Sequence, residues 1–94
     1  MSGTYRIVKA TNPDGTTYDG SVTIKRNGAV WDVSWRLPKQ TIRGAGLLEG
    51  DSFVVGFGEA SAGVMLYTPT PSGLSGRWAS VGGSATGTEV LRRR

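Results

Sequence analysis

The sequence predicts an all-β fold, in which a single eight-stranded antiparallel up-and-down meander over residues 1–94 closes into a small barrel. Two observations predict it: reverse-turn signals recur at nearly regular intervals, and apolar residues alternate with polar ones between them. The turn signals lie around residues 12–15, 27–28, 38, 50, 59–63, 69–73 and 82–84. Their Gly, Pro, Asn and Asp residues are the types that tight turns favour.

The alternation indicates strands with one wet face. In WDVSWRL, at residues 31–37, every second residue is apolar, and the same period of two runs through residues 18–25. No window has the spacing of an amphipathic helix of useful length. A meander of this size either leaves two open edges or closes on itself. Inward glycines such as Gly44, Gly46 and Gly76 favour closure, because a narrow barrel bends sharply and alternates small residues with large ones.

The composition argues against catalysis. The chain has no cysteine and no histidine, which removes the usual zinc ligands and the imidazole of acyl-transfer triads. The Gly-rich stretch at 56–63 lacks the Lys-Ser/Thr ending of a phosphate-binding loop. Glu49 and Asp51 flank a turn that points them into water rather than into a cleft. We therefore expect a non-enzymatic protein with no catalytic residues, no metal ion and no cofactor.

The net charge of +4 raises the alternative of a weak binder of anionic polymers or nucleic acid. Lys25, Arg36 and Arg43 lie on successive predicted strands and would form a basic face. The pattern assigns no exposed aromatic residue to that face, which argues against base stacking. The terminal arginines are also what a frayed, solvated tail looks like.

No apolar run is long enough for a membrane span, and residues 1–10 lack an apolar signal segment. These two features do not determine the native compartment. A periplasmic or secreted location is favoured if a signal peptide has been removed.

The tryptophans either fill a core or line a pocket. Trp31 and Trp35 are four residues apart on one strand, so their Cα atoms lie about 13 Å from each other at roughly 3.3 Å per residue. They must occupy different layers. Each buried indole removes about 150–250 Å² from water, so filling a core is sufficient reason for its presence. A pocket also needs converging polar groups, and the candidate ligand-binding residues are Tyr5, Trp31, Trp35, Ser61, Tyr67, Arg77 and Trp78.

Two short segments resemble known barrels. GTY at residues 3–5 is similar to the Gly-x-Trp opening strand of calycin and avidin-like barrels, with Tyr in place of Trp. The arginines after Leu91 resemble, in position, the basic residue that closes some calycin barrels.

Over nearly its full length, the chain resembles a family of small exported proteobacterial proteins that are often labelled fibronectin-binding. The matching segments are GTYRIVKATNPDGTTYDGSVTI, VWDVSWRL, GAGLLEGDSFVVGFG, GVMLY, GLSGRW and GTEVL. The resemblance implies a secreted or periplasmic, non-enzymatic protein, and it assigns no binding residues.

The favoured hypothesis is an exported bacterial binding module. It would recognise a small hydrophobic or aromatic ligand, or an extracellular protein, through a barrel mouth or hairpin loops. The alternative is a self-associating assembly protein that uses an apolar outer sheet face. For that alternative, the predicted homo-oligomer contacts are Phe53, Phe57, Met65 and Tyr67.

Overall fold

A computed structural model describes residues 1–58 and 62–94 of the chain. Eight antiparallel strands follow one another around a closed barrel, and the last strand pairs with the first. This is the predicted fold. The strands are β1 (Gly3–Thr11), β2 (Gly20–Asn27), β3 (Val30–Leu37), β4 (Gln40–Glu49), β5 (Ser52–Phe57), β6 (Gly63–Thr70), β7 (Gly73–Ser80) and β8 (Gly87–Arg93). The described residues include no helix that is long and apolar enough to cross a membrane.

The seam between β1 and β8 closes the barrel. Pairing runs inward from Tyr5 opposite Arg93, and the register shifts by one residue between Ile7 and Lys9. This irregularity is a β-bulge, which inserts one extra residue and bends the strand. Beyond it, Ala10 is buried while Lys9 is exposed. The bulge therefore keeps a charged side chain outside as β1 approaches its end.

The predicted turns separate the strands. Gly15 and Gly28, in the first two turn signals, have φ values of 89° and 65°. That conformation is inexpensive only for glycine, so these two positions explain why the chain reverses there. The second strand lies two residues further along the chain than its alternation suggested, because β2 runs from Gly20 to Asn27 and Tyr18 lies in the preceding loop.

Large side chains fill the barrel by packing over inward glycines. The ring of Trp35 lies over Gly44, where a Cβ atom would stand 3.2 Å from the ring and 2.6 Å from the Gly56 carbonyl oxygen. Gly76 leaves the same kind of space for the Tyr67 ring. Alternating small and large residues is how a narrow barrel closes its interior at normal packing density.

The barrel has two unlike ends. At the closed end lie the β2–β3, β4–β5 and β6–β7 turns together with residues 1–2 and 94. At the open end lie the β1–β2, β3–β4 and β7–β8 connections, together with the end of β5 and the start of β6. The β1–β2 loop, at residues 12–19, is the part of the open end that reaches back over the interior.

The prediction that four residues form a homo-oligomer contact on the outer face of the barrel is wrong. Phe53, Met65 and Tyr67 are buried inside the barrel. Phe57 is half-buried and packs inward against the rings of Trp35 and Trp78. The alternation of β5 and β6 sends these odd-numbered positions inward, and the even-numbered ones face out.

We expect Gly44→Ala to lower the free energy of unfolding by roughly 1–3 kcal/mol, because the added methyl group would press on rigid backbone beneath Trp35. Gly56→Ala is the matched control, since nothing lies within 4 Å of its Cβ position. That variant should change stability by no more than about 0.5 kcal/mol. Urea denaturation of both variants measures the difference, and equal losses would contradict this description of the interior.

Candidate functional site

The open end of the barrel contains a cavity. Its inner wall is made by Tyr18, Trp35, Ile42, Phe57, Trp78 and Glu89. The volume is about 1670 Å³, which includes space beyond the strand ends because outward-facing side chains such as Thr23 and Arg43 also border it. The cavity is thus a mouth that narrows toward the barrel interior.

Aromatic rings form a continuous chain around this mouth. Phe57 makes edge-to-face contacts with both indoles, at centroid distances of 5.7 Å to Trp35 and 6.2 Å to Trp78. Tyr18 continues the chain on the other side of Trp78, at 6.3 Å. Edge-to-face pairs of this kind contribute about 0.5–1.5 kcal/mol beyond area burial. Phe57, Trp78 and Tyr18 are only half-buried, so their remaining surface faces the cavity.

A buried carboxyl group lies at the base of the cavity. Glu89 is 1% exposed and accepts three hydrogen bonds. The Tyr18 hydroxyl donates to Oε1 at 2.8 Å, while Oε2 accepts from Trp35 Nε1 at 3.1 Å and from the Tyr67 hydroxyl. Trp35 Nε1 also lies 3.1 Å from the Tyr67 oxygen. Two phenols and an indole therefore hold one carboxyl group in place.

Burial raises the pKa of Glu89 above its ordinary value, and the three donated hydrogen bonds only partly offset this effect. Burial and the charge of Glu89 also raise the pKa of Tyr67 and that of Tyr18. Both phenols consequently keep their protons and remain donors at neutral pH. The site is an acid in a low-dielectric environment, whose three partners are neutral.

The indole of Trp78 has an unused donor. Its Nε1 is buried and has no hydrogen-bond acceptor within residues 1–58 and 62–94. The ring packs against Gly87, where a Cβ atom would come within 2.3 Å of it. A buried donor without an acceptor costs roughly 1–3 kcal/mol. Trp78 is also one of the residues that form the cavity wall.

The structure distributes the predicted site residues over different places. Trp35, Tyr67 and Trp78 come together around the base and wall of the cavity. Trp31 and Tyr5 lie at the closed end. Their separation from Trp35 agrees with the expected layering of the indoles.

Two further candidates do not reach the cavity. Arg77 is exposed on the outer face, between Leu66 and Thr88 on the neighbouring strands. Ser61 lies outside the described residues.

The closed end is sealed by a polar clamp. Arg93 Nη1 donates to the Tyr5 hydroxyl at 3.2 Å, and Nη2 donates to the Ser2 carbonyl oxygen at 2.6 Å. The Tyr5 hydroxyl in turn donates to the Met1 carbonyl oxygen at 2.7 Å. Trp31 packs edge-to-face on Phe53, at 6.1 Å. This end joins the first and last strands and is filled.

Sequence reasoning missed Glu89 as a site residue, although the signal was present. In GTEVL the period of two places Glu89 on the same face as Gly87 and Leu91, which is the inward face. Tyr18 was read as a strand residue, and Phe57 as an outer contact. Their common role at the mouth depends on barrel closure, which brings β8, β5 and the β1–β2 loop to one place.

The basic residues stay on the outside. Lys25, Arg36 and Arg43 are exposed, as their alternation predicts. Lys25 lies opposite Asp32 in the register, which reduces the local positive charge. Every aromatic side chain is buried or half-buried, so the basic face offers no stacking surface for nucleic-acid bases. An anionic polymer would therefore bind this face through charge attraction alone.

Comparisons with known proteins support the fold. The REP1-NXSQ fatty acid transporter superposes with a TM-score of 0.71 at 10% sequence identity, over 99% of this chain and 95% of its own. A redesigned β-barrel superposes with a TM-score of 0.77 at 23% identity, over 99% of this chain and 90% of its own. At these identities the likeness is one of fold. The chain is a closed eight-stranded meander barrel.

No protein-family model and no curated protein matches the chain. The resemblance to proteins labelled fibronectin-binding gains no support from these comparisons. The resemblance to calycin and avidin-like barrels remains an expectation, beyond the shared strand order of a closed meander.

Glu89→Gln should stabilise the protein more at about pH 8 than at about pH 4. The raised pKa means that the folded state holds this proton more tightly than the unfolded chain does. The wild type therefore loses stability as the pH rises from the ordinary carboxyl value of 4.5 through the raised one. Glutamine has a similar size and never acquires the charge. Urea denaturation at both pH values measures the difference between variant and wild type, and a difference that does not grow with pH would contradict a penalty for the buried charge.

Proposed function

We propose that the protein is a non-catalytic binding module that takes a small apolar or aromatic ligand into the open-end cavity. The observation that carries this proposal is the wall of half-buried aromatic rings around the cavity, which includes Trp78, whose buried Nε1 has no acceptor within residues 1–58 and 62–94. A core residue in a finished, solid interior would have its polar atom paired. The exposed surface of the half-buried rings is what a ligand in the cavity would contact.

The shape of the cavity supports the same function. Ligand sites are concave and mostly apolar, with a few polar groups that fix orientation. Here the inner wall is aromatic and aliphatic with polar groups on Glu89, Tyr18 and Trp78, and the outer part of the cavity is bordered by charged and hydroxyl side chains such as Lys9 and Thr23. The fold neighbour that is a fatty acid transporter supports a small ligand with apolar character, and its own cargo is not carried over.

Binding of a neutral apolar dye tests the proposal, because Trp35 and Trp78 would report an occupant of the cavity. We expect saturable, stoichiometric binding of Nile red with a change in tryptophan emission. Trp78→Phe should lose much of that change, since it removes an indole from the wall. Trp31→Phe is the matched control and should retain it, because Trp31 lies at the closed end. Absence of saturable binding, or an equal loss in both variants, would contradict a ligand in this cavity.

A second candidate function is self-association through the outer face of β4, β5 and β6. Leu47, Val54 and Leu66 are register partners in one row, and Val64 lies beside them. All four are exposed, by 38% to 63%. A solvated antiparallel sheet face normally alternates to polar residues, so a contiguous aliphatic patch favours an interface. A second copy of this chain fits it, because a patch without charges can pack on itself without repulsion.

Val54→Lys should abolish any concentration-dependent increase in mass, because it places a charge at the centre of the aliphatic row. Thr23→Lys adds the same charge to the exposed outer face of β2 and should leave the mass unchanged. Sedimentation velocity over a wide concentration range measures both. A wild type that stays monomeric throughout would exclude this second function and leave the cavity unaffected.

A further inference from the structure

We propose that Glu89 selects the headgroup of the ligand, so that the open-end cavity takes an organic cation: an apolar or aromatic body that carries a protonated amine. The inference rests on the proposed function, since it names the ligand class of the same cavity.

The first step is the charge balance inside the barrel. Glu89 is a buried acid whose hydrogen-bond partners, Tyr18, Trp35 and Tyr67, are all neutral. Arg93, which is exposed at the closed end, donates its hydrogen bonds to Tyr5 and Ser2. A carboxylate taken out of water without a cation is costly, and a partner of opposite charge with good geometry recovers much of that cost. A ligand ammonium group would be that partner.

The second step is the surroundings of the carboxyl group. Indole and phenol rings meet Glu89 through their N–H and O–H donors, and neighbouring rings line the cavity, where a ring face would attract a cation. The structure uses this contact elsewhere, where the Arg26 guanidinium lies 5.8 Å from the Trp31 ring centroid. An anionic headgroup beside Glu89 would meet the negative charge of the carboxylate. The base of the cavity therefore favours a cation and disfavours a carboxylate.

The third step is access. Tyr18 belongs to the β1–β2 loop and covers Oε1 of Glu89 by donating to it at 2.8 Å. An ammonium group can replace that donor hydrogen bond with a charge-assisted one, which is about twice as strong. Tyr18 then moves aside from a position that a loop can leave without breaking a strand. Tyr18 is thus a positioning residue that occupies the headgroup site when the ligand is absent.

The rim of the mouth has the opposite charge. Lys9, Arg36, Lys39 and Arg43 border the cavity from outside, with Asp19 as the acidic exception. An anionic amphiphile would be held at this rim with its apolar chain inward, whereas an amine would be held at the base. The two binding modes predict opposite effects of substituting Glu89: the affinity for an amine would fall, and that for an anionic amphiphile would not.

Decylammonium, decanol and decanoate share one alkyl chain and differ in headgroup, so they separate the two modes. Titration calorimetry below micelle formation should show decylammonium binding about tenfold or more tightly than decanoate. Glu89→Gln should weaken decylammonium about tenfold and leave decanol nearly unchanged. Glu49→Gln is the matched control: it removes the same charge from an exposed residue at the closed end and should change neither.

A measurement on the wild type covers the case in which Glu89→Gln fails to fold. The affinity for decylammonium should fall as the pH is lowered and Glu89 takes up its proton, while that for decanol stays constant. Tyr18 and Tyr67 face Glu89 and keep their protons in this range, because their pKa values are raised. The other charged groups near the path are those of the rim, and Asp19→Asn removes the acid among them. The variant should retain the pH dependence.

Decanoate binding as tightly as decylammonium would overturn the cation assignment, and so would equal decylammonium affinity in wild type and Glu89→Gln. Either result leaves the ligand-binding proposal standing, because a ligand has bound. Failure of all three probes to bind the wild type would instead overturn the proposed function itself.

Discussion

Closure of the sheet by β1 and β8 is the constraint on which the rest of the structure depends. Once these strands pair, no edge is left for another chain to extend, and every second side chain must fit inside a narrow cylinder. The inward glycines follow from this requirement. Gly44, Gly76 and Gly87 each lie under an aromatic ring that would collide with a larger residue. The large rings and the glycines beneath them together fill an interior whose width is fixed by the closed sheet.

The same interior serves two purposes at its two ends. At the closed end the Arg93–Tyr5 clamp and the Trp31–Phe53 pair leave the inside filled and tie the strand ends together. At the open end three of the rings are half-buried, the Trp78 donor has no acceptor among the described residues, and an acid lies beneath a loop residue. The well-packed closed end holds the barrel rigid. A site on such a scaffold keeps its geometry while a loop beside it moves. The question of whether the indoles fill a core or line a pocket thus has a different answer at each end.

Much of the fold could be predicted because it depends on local signals. Turn residues such as those at Gly15 and Gly28 mark reversals, and a period of two divides each strand into an inner and an outer face. The candidate site was harder to predict, because it joins residues that are distant along the chain. Glu89 meets Tyr18 and Trp35 only after closure has set the stagger of β8 against its neighbours. The alternation of apolar and polar residues identifies which side chains face inward. It does not give the height along the barrel axis at which each of them lies.

The predicted homo-oligomer contacts were wrong for a related reason, since the sequence did not show which face of β5 and β6 points inward. Phe53 and Tyr67 were expected outside because strands five and six are apolar at consecutive positions, which does not reveal which set faces inward. The structure resolves this by register: the larger aromatic residues point in, where they stack at 6.2 Å, and the aliphatic ones point out. Burying the residues with the greatest apolar area is the more favourable choice.

The bulge in β1 bears on how the chain can change length. Strands tolerate insertions and deletions poorly, since removing one residue ordinarily exchanges the two faces downstream. Between Ile7 and Ala10 two residues stand where regular alternation needs one, so losing Val8 would restore an unbroken ladder with Ile7 and Ala10 still directed inward. Deleting this one residue would straighten the strand without exchanging its inner and outer faces, so β1 should accept a one-residue deletion here better than a regular strand would.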